Sequence, residues 1–306
     1  MKTIRNQVTQ IAIGSLLLAG LAALPTIVRA QPVAHYPPGV EGLKAATLPP
    51  PGVYARDYNY FLVSDGLNGS DGKNVAAADA RAFVYANVPR VLWITEQQLL
   101  GGFIGVDALL PLQYTELKFN RPPGPYHDQA FGIGDFFMEA TWSKHAAQFD
   151  FALAYGVWAP TGDFTSSNPT LAGQGYWGHM LTAGATWYPD KDKLWAISAL
   201  NRYEINQDQQ DTHITPGQAY TLEWGVSRSF IKTLDVGVAG YYQQKVTEDS
   251  GPSSTSTRGR LAGVGPEVSY FYPPAMLGVS LRYAYGFLAE DRLQSHTVCL
   301  TITKGF

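Results

Sequence analysis

Apolar and polar residues alternate at period two along most of this chain, which predicts strands with one apolar face. The stretch "HTVCLTITKGF" shows it plainly, with Val298, Leu300 and Ile302 spaced by two ahead of Phe306 and Thr297, Cys299, Thr301 and Thr303 filling the gaps. In "MLGVSLRYAYGF" the apolar set is Leu277, Val279, Leu281, Tyr283, Tyr285 and Phe287, opposite Ser280 and Arg282. "AYTLEWGVS" sets Tyr220, Leu222, Trp224 and Val226 against Thr221, Glu223 and Ser227, and "IGDFFMEATWS" sets Phe136, Met138, Ala140 and Trp142 against Asp135, Glu139 and Ser143. From residue 53 onward such segments fall at 53–63, 80–95, 102–118, 133–146, 149–160, 177–188, 194–205, 218–229, 234–246, 258–272, 276–288 and 296–306. Their lengths lie near the roughly ten residues that a tilted membrane-spanning strand needs.

The connections alternate in kind. "TEQQLLG", "HAAQ", "PDKDK", "FIKT" and "YPPA" are short, whereas "SDGLNGSDGKN", "NRPPGPYHDQAF", "TGDFTSSNPTLAGQG", "NQDQQDTHITPG", "TEDSGPSSTSTR" and "AEDRLQS" are long and polar. Short turns at one end and long loops at the other are the habit of an outer-membrane barrel. The expected fold is therefore all-β, an antiparallel transmembrane β-barrel of about twelve strands over residues 53–306. An even count puts both chain ends on the same side.

Alternation also predicts which polar side chains enter the lumen: Asp57, Asn59, Arg90, Asp107, Asp135, Glu139, Arg202, Glu204, Glu223, Glu267 and Arg282. Such a set can act as mutual salt bridges that brace the wall and hold a plug, or as a polar lining that selects solutes. Two prolines disturb the pattern. Pro89 cannot donate to a strand ladder, and a bulge there would turn Arg90 inward; Pro266 in "LAGVGPEVSY" raises the same expectation. Either bulge could mark a lateral gap in the wall.

The two ends add compartment. Residues 1–30 carry Lys2 and Arg5, then an apolar run from Ile11 to Leu24, then Val28 and Ala30, the order of a cleavable signal peptide. Removing Lys2, Arg5 and Arg29 leaves 19 basic residues against 25 acidic, a formal charge of −6. That balance argues against nucleic acid as a partner. One cysteine, Cys299, excludes an internal disulfide framework. Aromatic residues make up 13% of the chain and charged ones only 15%, against about 25% charged in ordinary domains. That composition suits a membrane barrel, and equally a secreted carbohydrate-binding β protein.

Residues 31–52, "QPVAHYPPGVEGLKAATLPPPG", are Pro-rich and nearly uncharged. They fit a periplasmic tail or a plug folded back into the lumen, and the plug is favoured.

Catalytic chemistry has little to build on. His35, His127, His145, His179, His213 and His296 stand in or beside connections without a serine motif, and no His, Cys, Asp and Glu group has metal-ligand spacing. "SDGLNGSDGKN" lacks the acid that would close a calcium loop. No catalytic residue, metal ligand or cofactor site is expected.

Several blocks in order, "HYPPGVEGLKAATLPPPGVYARDYNYFLVSDGLNGSDG", "ITEQQLLGGFIGVDALLPL", "GIGDFFMEATWS", "YGVWAPTGDF", "YEINQDQQDTHITPGQAYTLEWGVSRSF" and "DVGVAGYYQQKVTEDSG", resemble the outer-membrane proteins of the phenol meta-degradation (MetA-pathway) family. The resemblance runs over essentially the whole chain after residue 30. It implies an outer-membrane transporter-like barrel associated with breakdown of phenol and other aromatic compounds, and brings no functional residues with it. The expected function is passive uptake of small hydrophobic or aromatic compounds; a non-conducting structural barrel and a lipid-acting barrel enzyme are the alternatives. The expected partners are outer-membrane lipid and lipopolysaccharide, the barrel-assembly machinery through the C-terminal strand with Phe306 as its signal, and the solute itself.

Overall fold

The computed structural model describes residues 34–121 and 124–306, so the expected signal peptide at 1–30 lies outside the described residues. Among the described residues fourteen strands follow one another: β1 (Gly52–Asn68), β2 (Arg81–Leu99), β3 (Gly102–Leu109), β4 (Leu112–Arg121), β5 (Gly124–Ile133), β6 (Phe136–His145), β7 (Phe149–Ala159), β8 (Gly178–Trp187), β9 (Trp195–Asn206), β10 (Ala219–Ile231), β11 (Leu234–Lys245), β12 (Arg260–Tyr272), β13 (Leu277–Glu290) and β14 (Arg292–Gly305). All neighbours run antiparallel, and β1 pairs with both β14 and β2, closing the sheet.

Two staves are broken. Strand β2 pairs with β3 through Arg90–Leu99 and with β4 through Arg81–Asn87, so β3 and β4 are successive halves of one stave. In the same way β6 pairs with β3 and β5 with β4. Fourteen strands therefore make twelve staves. The breaks, at Leu110–Pro111 and Gly134–Asp135, lie side by side, joined by Gly134 N–H donating to Pro111 O at 2.8 Å.

The expected bulges are not where the prolines are. Pairing of β2 with β1 runs unbroken through Pro89, opposite Asp57, and plain alternation already turns Arg90 inward. Pro89 instead lies across from the interrupted stave, where a missing N–H costs no ladder bond. Pro266 pairs in register with Val238, and pairing of β12 with β13 merely skips Gly265 and Pro266 before resuming in the same register. The true irregularity of that strand pair is at Ala262–Gly263, opposite Gly286–Leu288.

Two expected loops are largely strand. "NRPPGPYHDQAF" continues the β4–β5 ladder, held by Phe119 stacked on Tyr126 with ring centroids 4.7 Å apart and by Glu116 between Lys118 and His127. "AEDRLQS" collapses to a one-residue turn at Asp291, whose short polar side chain tolerates a φ of 50°.

The outer face is apolar, exposing Leu181, Ile197, Val226 and Leu281, while the same strands bury Thr182, Arg202, Glu223 and Arg282 inside. No helix among the described residues is long and apolar enough to cross a membrane.

Candidate functional site

Residues 34–51 precede β1 and run through the lumen, bonded to the wall at nearly every turn. The His35 imidazole Nδ1 lies 2.7 Å from Glu204 Oε1, and its Nε2 is 3.3 Å from Asp135 Oδ2, an ion-pair distance without hydrogen-bond alignment. Its ring stacks on Trp158 and meets Tyr176 edge-on. Burial alone would lower the His35 pKa, but the Glu204 carboxylate and then Asp135 raise it to about 9. Tyr36 donates its hydroxyl to Glu223 at 2.8 Å, and the Arg202 guanidinium sits 4.1 Å over its ring.

Further along, the backbone is read directly. Arg282 donates to the carbonyls of Gly39 and Val40, and the N–H groups of Glu41 and Leu43 donate to Glu223 and Glu267. Gly42 lies so close to the Glu267–Arg282 pair that a Cβ there would fall 1.8 Å from Glu267 Oε2, so any larger residue would have to displace that ion pair. Gly39 adopts a φ of 82° beside Tyr241. The Pro-Gly composition of this segment is thus the cost of lying against a charged wall.

Glu41 is the hub. Its carboxylate accepts from Tyr58 Oη at 2.6 Å and pairs with Arg90 at 3.2 Å and Arg56 at 3.4 Å. Burial would raise the Glu41 pKa, but Arg56 and Arg90 hold it down at about 2. Arg90 also grips Asp107 with two bonds, at 2.9 and 2.7 Å, and Glu139 with one at 2.7 Å. Such forked, charge-assisted contacts are strong and geometrically exacting. Toward the end of the segment, Lys44 pairs with Asp235, Ala46 N–H donates to Ser198, and Thr47 donates to Asp150, which also accepts from Tyr188.

Of the eleven residues expected in the lumen, Arg90, Asp107, Asp135, Glu139, Arg202, Glu204, Glu223, Glu267 and Arg282 are in this network or its wall. Asp57 and Asn59 face outward instead. In β1 the inward residues are Tyr54, Arg56, Tyr58 and Tyr60, and pairing carries that phase into β2 and β14. Outside, Asn59 and Asn87 both donate to Asp57, and Tyr85 donates to Asn59. Sequence reasoning missed His35, Tyr36, Glu41, Arg56 and Tyr58. The run of alternate tyrosines around Arg56 was the available signal for the last two.

Beside the segment lies a cavity of about 270 Å³ whose wall includes Leu43, Leu48, Leu92, Thr141, Thr182 and Arg202. No group of His, Cys, Asp and Glu able to hold a metal ion is present among the described residues. At the C-terminus, Phe306 closes the β1 edge through its N–H to Val53 O, with its ring 74% exposed.

These features define a twelve-stave barrel of outer-membrane type with a chain segment bonded inside it. The chain belongs to the family described as "Putative MetA-pathway of phenol degradation", which matches residues 64–302. Its fold is similar to that of the COG4313 outer membrane channel from Pseudomonas putida F1, at a TM-score of 0.75 and 14% identity, covering 89% of this chain and all of the other. The KdgM porin in complex with oligogalacturonate aligns at 0.44 with 11% identity over 82% of this chain and 99% of the porin. The CymD monoaromatic hydrocarbon channel aligns at 0.41 with 11% identity over 84% and 89%. No curated protein matches the sequence.

Proposed function

We propose that the protein is an outer-membrane channel for passive uptake of small hydrophobic or aromatic compounds, with residues 34–51 as its plug. The observation that carries this reading is the lumen. A segment separate from the wall fills it through polar contacts that can exchange with water, and leaves a cavity of about 270 Å³ beside it. That is below the roughly 300–1,000 Å³ of pockets for drug-sized ligands, so the solute is a single ring or its equivalent. Family membership supports the aromatic class, and the fold shared with the Pseudomonas outer membrane channel supports a barrel of that kind. The outer face would meet lipid and lipopolysaccharide, the leader at 1–30 would direct export, and the strand ending at Phe306 would be read by the barrel-assembly machinery. The reading needs no catalytic group, metal or cofactor.

The test is uptake of dilute labelled toluene by cells lacking the protein and cells regaining it, with a polar sugar as control. Faster entry of toluene alone supports the selective channel. Equal acceleration of both means a general pore, and no change in either favours a non-conducting structural barrel.

A second route, sideways through the wall, is supported by the adjacent breaks at Leu110–Pro111 and Gly134–Asp135. Tethering the two broken staves there should then slow toluene entry; unaltered entry removes the route.

A further inference from the structure

Inside the barrel, Arg56 and Arg90 pair with Glu41, Arg90 also with Asp107 and Glu139, Arg202 with Glu223 and Arg282 with Glu267, all within 3.4 Å. Lys245, toward the end that carries the long connections, is taken by Asp249 at 2.8 Å. Arg292, the first residue of β14, differs from them: among the described residues no carboxylate and no side-chain hydrogen bond acts on it. The acids of the adjoining turn are turned elsewhere. Glu290 is held by Arg260 through two bonds, at 2.5 and 2.6 Å, and the charge acting on Asp291 is that of Glu290.

The Arg292 side chain enters the lumen. Its stem lies against Gly259, where a Cβ would fall 2.9 Å from Arg292 Cδ, and the titratable groups facing its head are the phenols of Tyr241 and Tyr60. Both tyrosines are buried and touch the plug: the Tyr60 hydroxyl donates to Pro38 O at 3.5 Å, and the Tyr241 ring lies against Gly39. Arg292 pairs in the ladder with Asn68, beyond Tyr60 toward the long connections, so it stands on the outer side of the plug. It is only half-buried, and none of its nitrogens is among the buried, partnerless atoms of the described residues, so the guanidinium keeps surface open to a solute.

An arginine enclosed by protein is almost always paired, because a charge withdrawn from bulk water needs a counter-charge to offset the loss. The partner of Arg292 is absent from the wall and from the plug, so it comes from outside the fold. A guanidinium is a planar fork of donors with no acceptor, and two of its N–H groups match the two oxygens of a carboxylate. One positive charge with no second beside it suits a monoanion rather than a phosphate dianion. Tyr60 and Tyr241, uncharged at pH 7, add rings and hydroxyls without repelling it.

We propose that Arg292 is a binding site for the carboxylate of a small organic acid at the outer mouth of the lumen, beside the tyrosines that seat the plug. The site goes beyond uptake of neutral compounds and holds whether or not the barrel conducts.

Benzoate and benzamide share a shape and differ in charge, so the pair isolates the guanidinium. Binding of each to the purified full chain is followed by saturation-transfer NMR at pH 7, for the wild-type chain, Arg292→Gln and Arg292→Lys, the folded barrel being verified by migration of unheated samples. The wild-type chain should bind benzoate about tenfold more tightly than benzamide, the equivalent of roughly one charge-assisted hydrogen bond. Arg292→Gln should bring the two ligands level with benzamide binding held, and Arg292→Lys, which keeps the charge but not the fork, should fall between. Acetate should displace benzoate, and chloride at the same concentration should not. The wild-type preference is a test by itself should a variant not fold. Equal binding of benzoate and benzamide by the wild-type chain, an unchanged preference in Arg292→Gln, or displacement of benzoate by chloride as readily as by acetate overturns the site. Benzoate held through Arg292 by a chain that admits no toluene keeps the site and overturns the channel reading alone.

Discussion

Strands β1 and β2 carry polar clusters on both faces, and the two are held in opposite ways. Inside, Arg56 and Arg90 reach Glu41, a residue brought from another part of the chain, and Arg90 goes on to Asp107 and Glu139. Outside, Asp57, Asn59, Tyr85 and Asn87 satisfy only one another, between apolar neighbours Val53 and Val91 on one side and Phe61 and Phe83 on the other. The inner cluster joins separate elements and is buried, so each member depends on distant partners. The outer one is local and half-exposed, so it can lose a member cheaply.

The sharpest way to break this contrast is at its inner hub. Arg90→Met should leave Asp107 and Glu139 without their cation and Glu41 with Arg56 alone, and cost about 3–5 kcal/mol, read as the denaturant midpoint of the folded barrel. A loss below 1 kcal/mol would mean the inner charges are as independent as the outer ones.

The next effect is on conductance. Glu41→Gln weakens the pairing to Arg56 and Arg90 without emptying the space, so it should raise single-channel conductance in planar bilayers several-fold by loosening the plug.

Proton linkage gives a third, smaller effect. His35 has its pKa raised above the ordinary 6.5 to about 9. Its contribution to holding the segment is therefore full below about pH 6.5 and lost as pH rises through about 9. Conductance should climb between pH 7 and 10, and His35→Gln should flatten the climb.

Least of all should happen outside. Asp57→Asn keeps the size and the acceptor oxygen toward Asn87 and removes a charge from an apolar face, where acids are mildly destabilising. The denaturant midpoint should correspond to a change within about 1 kcal/mol.

The same contrast explains what could be read from the sequence. In β10 and β13 the inward positions are polar or small and the outward ones largely apolar, so alternation gave both strand and face. In β1 both faces are mixed. Inward tyrosines serve the segment, outward Asp57 and Asn59 serve each other, and polarity pointed the wrong way. Pro89 misled for a related reason: the irregularity it accommodates is in the neighbouring stave, at Pro111. The partners of His35 and Glu41 lie 169 and 182 residues away, at Glu204 and Glu223. No local pattern could announce them, and they became legible only once the sheet closed.

The central claim is that residues 34–51 gate entry. Thr47 of the segment and Thr186 of the wall bring their hydroxyl oxygens within 3.0 Å, so cysteine sulfurs at the two positions need only a small shift to bond. In a Cys299→Ser background, the Thr47→Cys/Thr186→Cys chain should admit labelled phenol when reduced and block it when oxidised, with the bond verified by mass. Equal entry in both states, with the bond formed, would contradict the gate.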